Sequence, residues 1–126
     1  IAGPNLDLTP RAGQMLALAL NELATNAIKF GALAADGTVH VNWSLDEADA
    51  GRQVRLTWKE TGASTSGEPP EQRGFGLALI EEGVPYELGG SVRITFEPDG
   101  IRCAIVLPVQ GNLLDERANA DSGEGS

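Results

Sequence analysis

Apolar residues recur every three to four positions from Leu8 to Phe30 (LTPRAGQMLALALNELATNAIKF), which is the spacing of one face of a helix. Thr9 is placed to cap the free amides at its start, and Pro10 suits the first helical position, where its missing N–H would be unpaired anyway. The pattern predicts a helix ending near Phe30, with Gly31 as its C-cap and GALAADG as the loop that follows. The period then falls to two. Thr38 to Leu45 (TVHVNWSL) and Val54 to Glu60 (VRLTWKE) alternate as strands do, with DEADAGR as the turn between them.

The next stretch, TGASTSGEPPEQRG, is small, polar and proline-rich, too long for a turn and too short for a domain linker, and reads as a mobile loop. From Gly76 the apolar spacing resumes in LALIEEGVPYEL, interrupted by Gly83 and Pro85, so two short helices and one kinked helix both fit. Gly89 and Gly90 end it. Ser91 to Glu97 and Ile101 to Leu107 then read as a hairpin closed by Pro98-Asp99-Gly100. Helices set against one face of a mostly antiparallel sheet make an α+β two-layer sandwich. Residues 109–126 are acidic and poor in large apolar side chains, so a largely disordered tail is expected there.

A chain of 126 residues, 41% hydrophobic, suits one domain with one core. No apolar stretch approaches the roughly 20 residues of a membrane span, and no signal-peptide layout opens the chain, so a cytoplasmic domain without membrane contact is expected. The formal charge of -9 argues against a nucleic-acid-binding face, which needs a basic patch. An anion would have to be held by local groups. The single Cys103 excludes an intrachain disulfide and, within the alternating IRCAIVLP, reads as a buried, inert thiol. His40, the only histidine, falls on a strand face, where it reads as a surface or satisfied residue.

Three places carry candidate chemistry. Glu22, Asn26 and Lys29 lie within roughly 60° of one another on the first helix, while Leu16, Leu20, Leu23, Ala27 and Phe30 point away. This stripe is either the solvated side of an amphipathic helix or the lining of a cleft. In a cleft, an amide oxygen and a carboxylate suit a hard cation and an ammonium suits a phosphate. Trp58-Lys59-Glu60-Thr61-Gly62 sets a carboxylate at a strand end, two residues before a glycine; alone, that is a strand stopping at a turn. Arg73-Gly74-Phe75-Gly76-Leu77 closes the long loop and opens a helix, where glycines let backbone amides approach a phosphate. It is not the dinucleotide fingerprint, because the third glycine would fall at Leu79 and no strand directly precedes it.

Taken in this order, these residues resemble the ATP-binding catalytic domain of bacterial sensor histidine kinases, a branch of the superfamily that includes gyrase and mismatch-repair ATPases. ELATNAIKFGAL resembles its N box, WKETG its first glycine box and RGFGLALIEEGVPYELGGSV its second, with a very short ATP lid between. Trp58 and Glu60, in Trp-x-Glu form, are most similar to the HWE kinases, although Asn21 stands where that subfamily has its histidine. The match covers residues 1–108, leaving 109–126 as the tail.

The resemblance implies a Bergerat fold with a mixed, mostly antiparallel sheet, and ATP and Mg²⁺ as ligands. It makes Asn26 the Mg²⁺ ligand, Glu22 the holder of a water or of the acceptor, and Lys29 a neutraliser of phosphate charge. Glu60 would accept from the adenine amino group, with Gly62 letting the base lie against the backbone. Gly74, Gly76 and the Leu77 amide would cradle phosphates, with Arg73 as an added charge. The implied reaction passes the γ-phosphate to a histidine on a separate dimerisation domain, with a response regulator downstream. Starting at IAGP and carrying only His40, the chain is expected to be a C-terminal fragment without that acceptor. The alternatives are a serine kinase of the anti-sigma type and a module that has lost its nucleotide.

Overall fold

The computed structural model describes residues 7–29, 33, 36–48, 51–62 and 75–113. Helix α1 (Pro10–Lys29) starts where Thr9 predicts: the Thr9 hydroxyl accepts from the Ala12 amide at 3.3 Å, as an N-cap does. Its buried stripe is Ala12, Leu16, Ala19, Leu23 and Ala27, spaced three and four apart, and the alanines let the helix sit close to its neighbours.

Strands β1 (Thr38–Ala48) and β2 (Gly51–Thr61) form a hairpin longer than their apolar alternation predicts. The added part is polar on both strands, so periodicity cannot show it. Arg52 meets Glu47 at 3.1 Å and Arg55 meets Asp46 at 3.2 Å across the ladder, pairs of the kind that support cross-strand register. Strands β3 (Ser91–Glu97) and β4 (Gly100–Pro108) form the second hairpin, and the sheet order is β1-β2-β4-β3. All three ladders are antiparallel, so the parallel member of the expected mixed sheet is not among the described residues. Val54, Leu56 and Trp58 of β2, with Ile101, Cys103, Ile105 and Leu107 of β4, face the helices and form the core with them.

Helix α2 (Phe75–Leu88) is one helix through Gly83 and Pro85. Pro85 stands in its last turn, so the N–H it lacks costs only one bond near the end, while Leu77, Ile80, Val84 and Leu88 anchor a continuous buried stripe. Gly89 closes the helix, donating to the Pro85 carbonyl at 3.0 Å with φ of 71°. Gly83 is a contact rather than a break: a Cβ there would lie 2.5 Å from Cε of Met15 on α1.

The packed unit also extends past Pro108, where the acidic tail was expected to begin. Val109, Asn112 and Leu113 are buried, and Leu113 pairs with Leu8. Asn112 donates through Nδ2 to the carbonyls of Leu88 (3.0 Å) and Pro108 (2.8 Å), while its own carbonyl accepts from the Thr9 amide at 2.9 Å. One short segment thus ties the start of α1, the end of α2 and the end of β4 together. Residues 114–126 lie outside the described residues.

These contacts fix which ends meet. Pro108 pairs with Gln53 near the start of β2, so α1 begins at that end of the sheet. At about 1.5 Å per residue α1 runs roughly 30 Å, comparable to the length of β2, and its chain returns to the sheet at Thr38, which pairs with Thr61. Arg11 meets Glu87 at 3.9 Å and Met15 meets Gly83, so α2 runs antiparallel to α1. The same stepping along both helices brings Gly76 toward Glu22. The end of α1, the end of β2 and the start of α2 therefore share one end of the molecule.

Candidate functional site

That shared end carries most of the candidate residues. On α1 the polar stripe is graded across the edge of the buried face: Lys29 is exposed, Glu22 half-buried and Asn26 only 7% exposed. A solvated helix face does not account for Asn26. Its Nδ2 donates to the Glu22 carbonyl at 3.0 Å, and because that partner can only accept, the amide must turn its Oδ1 the other way. No described residue donates to that oxygen. A buried acceptor of this kind calls for a partner, and a ligand can supply one.

Strand β2 brings the second element. Its inward positions alternate, so Trp58 and Glu60 share the helix-facing side while Lys59 points to the other. Glu60 is a carboxylate only 2% exposed at the strand end, and the indole Nε1 of Trp58 donates to its Oε2 at 3.0 Å. Gly62 follows with φ of 87°, a backbone state that side chains disfavour, and a Cβ there would lie 3.0 Å from the Gly37 Cα. The fold itself thus requires a glycine at 62.

Helix α2 presents its first turn at the same end. The amides of Gly76 and Leu77 are among the first four of the helix, which have no intrahelical partner and carry its partial positive charge. Leu77 also anchors this turn in the core. Arg73, Gly74 and the loop of residues 63–72 lie outside the described residues.

Beneath Trp58, Cys103 lies directly across the β2–β4 ladder. Burial, with the Glu81 carboxylate adding to it, pushes its thiol up to about 12. This is an inert core thiol, as the alternation predicts. His40 pairs with Lys59 near the shared end but is exposed on the opposite face of the sheet, in an open depression of about 590 Å³ beside Lys59 and Arg102. Among the described residues no three His, Cys, Asp or Glu side chains gather to hold a metal, and no helix is long and apolar enough to cross a membrane.

Known proteins resemble the chain in sequence and in fold. Over 111 residues, 86% of the chain, the sequence is 40% identical to blue-light-activated histidine kinase 1 of Erythrobacter litoralis. Over 116 residues it is 35% identical to a blue-light-activated histidine kinase of Brucella anthropi. The chain is homologous to part of these histidine kinases. It spans 29% and 23% of the length of these two relatives. Its fold is that of the histidine kinase domain of an Erythrobacter litoralis blue-light-activated kinase, with a TM-score of 0.63 at 17% identity, covering 86% of this chain and 50% of that one. No family model matches the chain.

Within this histidine kinase frame, two features escape motif reading. Trp58 is a direct partner of Glu60, a relation that the i, i+2 spacing on a strand allows, since both side chains then share a face. Asn112 has no signal in the local pattern, because its partners are main-chain carbonyls brought near by the fold.

Proposed function

We propose that this chain is the ATP-binding catalytic region of a cytoplasmic sensor histidine kinase, passing the γ-phosphate of ATP to a histidine on a separate helical domain, with a response regulator downstream. In this reading the nucleotide-binding unit runs to Leu113 rather than Pro108. The observation that carries the proposal is Asn26: a buried amide whose nitrogen is held by the Glu22 carbonyl, leaving its oxygen for a ligand.

The donor set fits Mg²⁺ brought in with a nucleotide. Mg²⁺ favours hard oxygens and keeps waters and phosphate oxygens in its shell, so one well-held amide oxygen suffices on the protein side. When bound, the ion neutralises charge on the phosphates. Asn26 would be its protein ligand, with Glu22 holding a water or orienting the acceptor and Lys29 pairing with phosphate oxygens. The free amides of Gly76 and Leu77, with Gly74 and Arg73 before them, would receive the phosphates at the start of α2. Glu60 would accept from the adenine amino group, with Gly62 beside the base.

Phosphoryl transfer asks for positioning and for charge held around the phosphates, and less for a nucleophile from this chain. The residues at the shared end are of that type. Calorimetry with a non-hydrolysable ATP analogue and Mg²⁺ tests the proposal. Wild type should bind, and Asn26→Ala should lose about tenfold or more in Mg²⁺-dependent affinity, the scale of one strong polar contact to a charged ligand. Equal affinity in the two proteins would remove Asn26 from the site.

A further inference from the structure

Trp58 and Glu60 form a buried pair whose arrangement exceeds what core packing requires. Both are nearly inaccessible, at 4% and 2% exposed, and they are joined by one hydrogen bond of 3.0 Å from the indole N–H to the carboxylate. A buried carboxylate is costly unless its oxygens find donors. Apolar packing alone would be served by phenylalanine and leucine at these positions.

The indole is a rigid donor here. Trp58 lies on β2, a central strand, with Val41 of β1 and Cys103 of β4 directly beside it on the same face, both buried. Its ring therefore has little room to turn. Glu60, by contrast, lies beyond the end of the β2–β4 ladder, whose last pair is Lys59 with Arg102, and a glutamate has three side-chain torsions to set. A carboxylate offers about four acceptor directions, of which the indole takes one and thereby orients the others. Lys59, between the two, is exposed on the far side of the sheet and cannot serve.

We propose that Trp58 is a positioning residue for base recognition: its indole N–H holds the Glu60 carboxylate in the orientation that accepts from the adenine amino group, so Trp58 sets purine selectivity by acting through Glu60. This rests on the reading of Glu60 as the adenine acceptor, and the experiment separates the two.

Dissociation constants are measured for Mg²⁺ complexes of ADP, of IDP (which carries a carbonyl in place of the amino group) and of inorganic tripolyphosphate. They are compared in the 126-residue chain and its variants, with melting temperatures alongside. Wild type should prefer ADP to IDP, and Glu60→Gln should abolish that preference. Trp58→Phe should weaken ADP by about tenfold, the scale of one hydrogen bond to a charged group, and bring the ADP/IDP ratio toward one, leaving tripolyphosphate binding unchanged. Benzothienylalanine at position 58, which replaces the indole N–H with sulfur at nearly constant shape, should do the same without a shift in melting temperature. If the ADP/IDP ratio survives the loss of the N–H while Glu60→Gln abolishes it, the positioning role is overturned and the adenine reading stands. If wild type has no ADP preference, or Glu60→Gln keeps it, the adenine reading falls and the role of Trp58 falls with it.

Discussion

Burial of Cys103 has a consequence for stability that can be worked out with its sign. In the folded chain the thiol is pushed up to about 12 by burial, then by the Glu81 carboxylate, whereas an unfolded thiol ionises near its ordinary value of about 8.5. Between those values the unfolded chain has released the proton and the folded chain still holds it. The unfolded state then binds fewer protons, so stability falls as pH rises. The contribution is complete below the unfolded value and is lost progressively toward the folded one, with a limiting slope of about 1.4 kcal/mol per pH unit. Urea denaturation between about pH 8.5 and about pH 10.5 should show wild type losing stability more steeply than Cys103→Ala. Comparing slopes removes the constant cost of the cavity left by alanine. Parallel slopes would mean that the thiol opens to solvent in the folded chain.

Among the elements, the segment after β4 behaves as a clasp. Replacing Asn112 with alanine leaves the Leu88 and Pro108 carbonyls without their side-chain donor, and should cost about 2 to 3 kcal/mol for buried acceptors stripped of a partner. A lower urea midpoint with an unchanged slope would report it. This clasp was not legible in the sequence, since Val109, Asn112 and Leu113 share no period and their bonds reach back to Thr9 and Leu88. The helices and the cores of the strands are legible because their apolar residues repeat at 3.6 and at 2. The outer end of the β1–β2 hairpin is not, because Asp46, Glu47, Arg52 and Gln53 continue no apolar repeat and the Glu47–Arg52 and Asp46–Arg55 charge pairs hold it instead. Pro85 leaves open a choice that only the buried stripe from Leu77 to Leu88 settles. At the site, residue types point to Glu22, Asn26, Lys29 and Glu60, but the burial of Asn26 and the Trp58 bond depend on tertiary packing. Arg73 and Gly74 lie outside the described residues.

For the whole molecule, the placement of His40 decides what the chain can do alone under the proposed function. His40 faces out on the sheet side opposite the helices, whereas an acceptor must stand in line with the γ-phosphate at roughly 3 to 3.5 Å. Incubated with radiolabelled ATP and Mg²⁺, the chain should remain unlabelled. Adding a histidine-bearing dimerisation domain from the same kinase should give label on that domain that acid removes and base does not. Acid-stable label would favour the serine-kinase alternative, and label on His40 would contradict the placement of the site. The contact between Leu8 and Leu113 has a further use in protein engineering. These two positions are neighbours at the end of the molecule opposite the candidate site, so they can be joined by a short linker and the chain reopened elsewhere, for instance between Ala48 and Gly51 at that same far end. Such a circular permutant should fold and, under the proposed function, keep its nucleotide affinity, because the rearrangement leaves every element that meets at the candidate site in its original place.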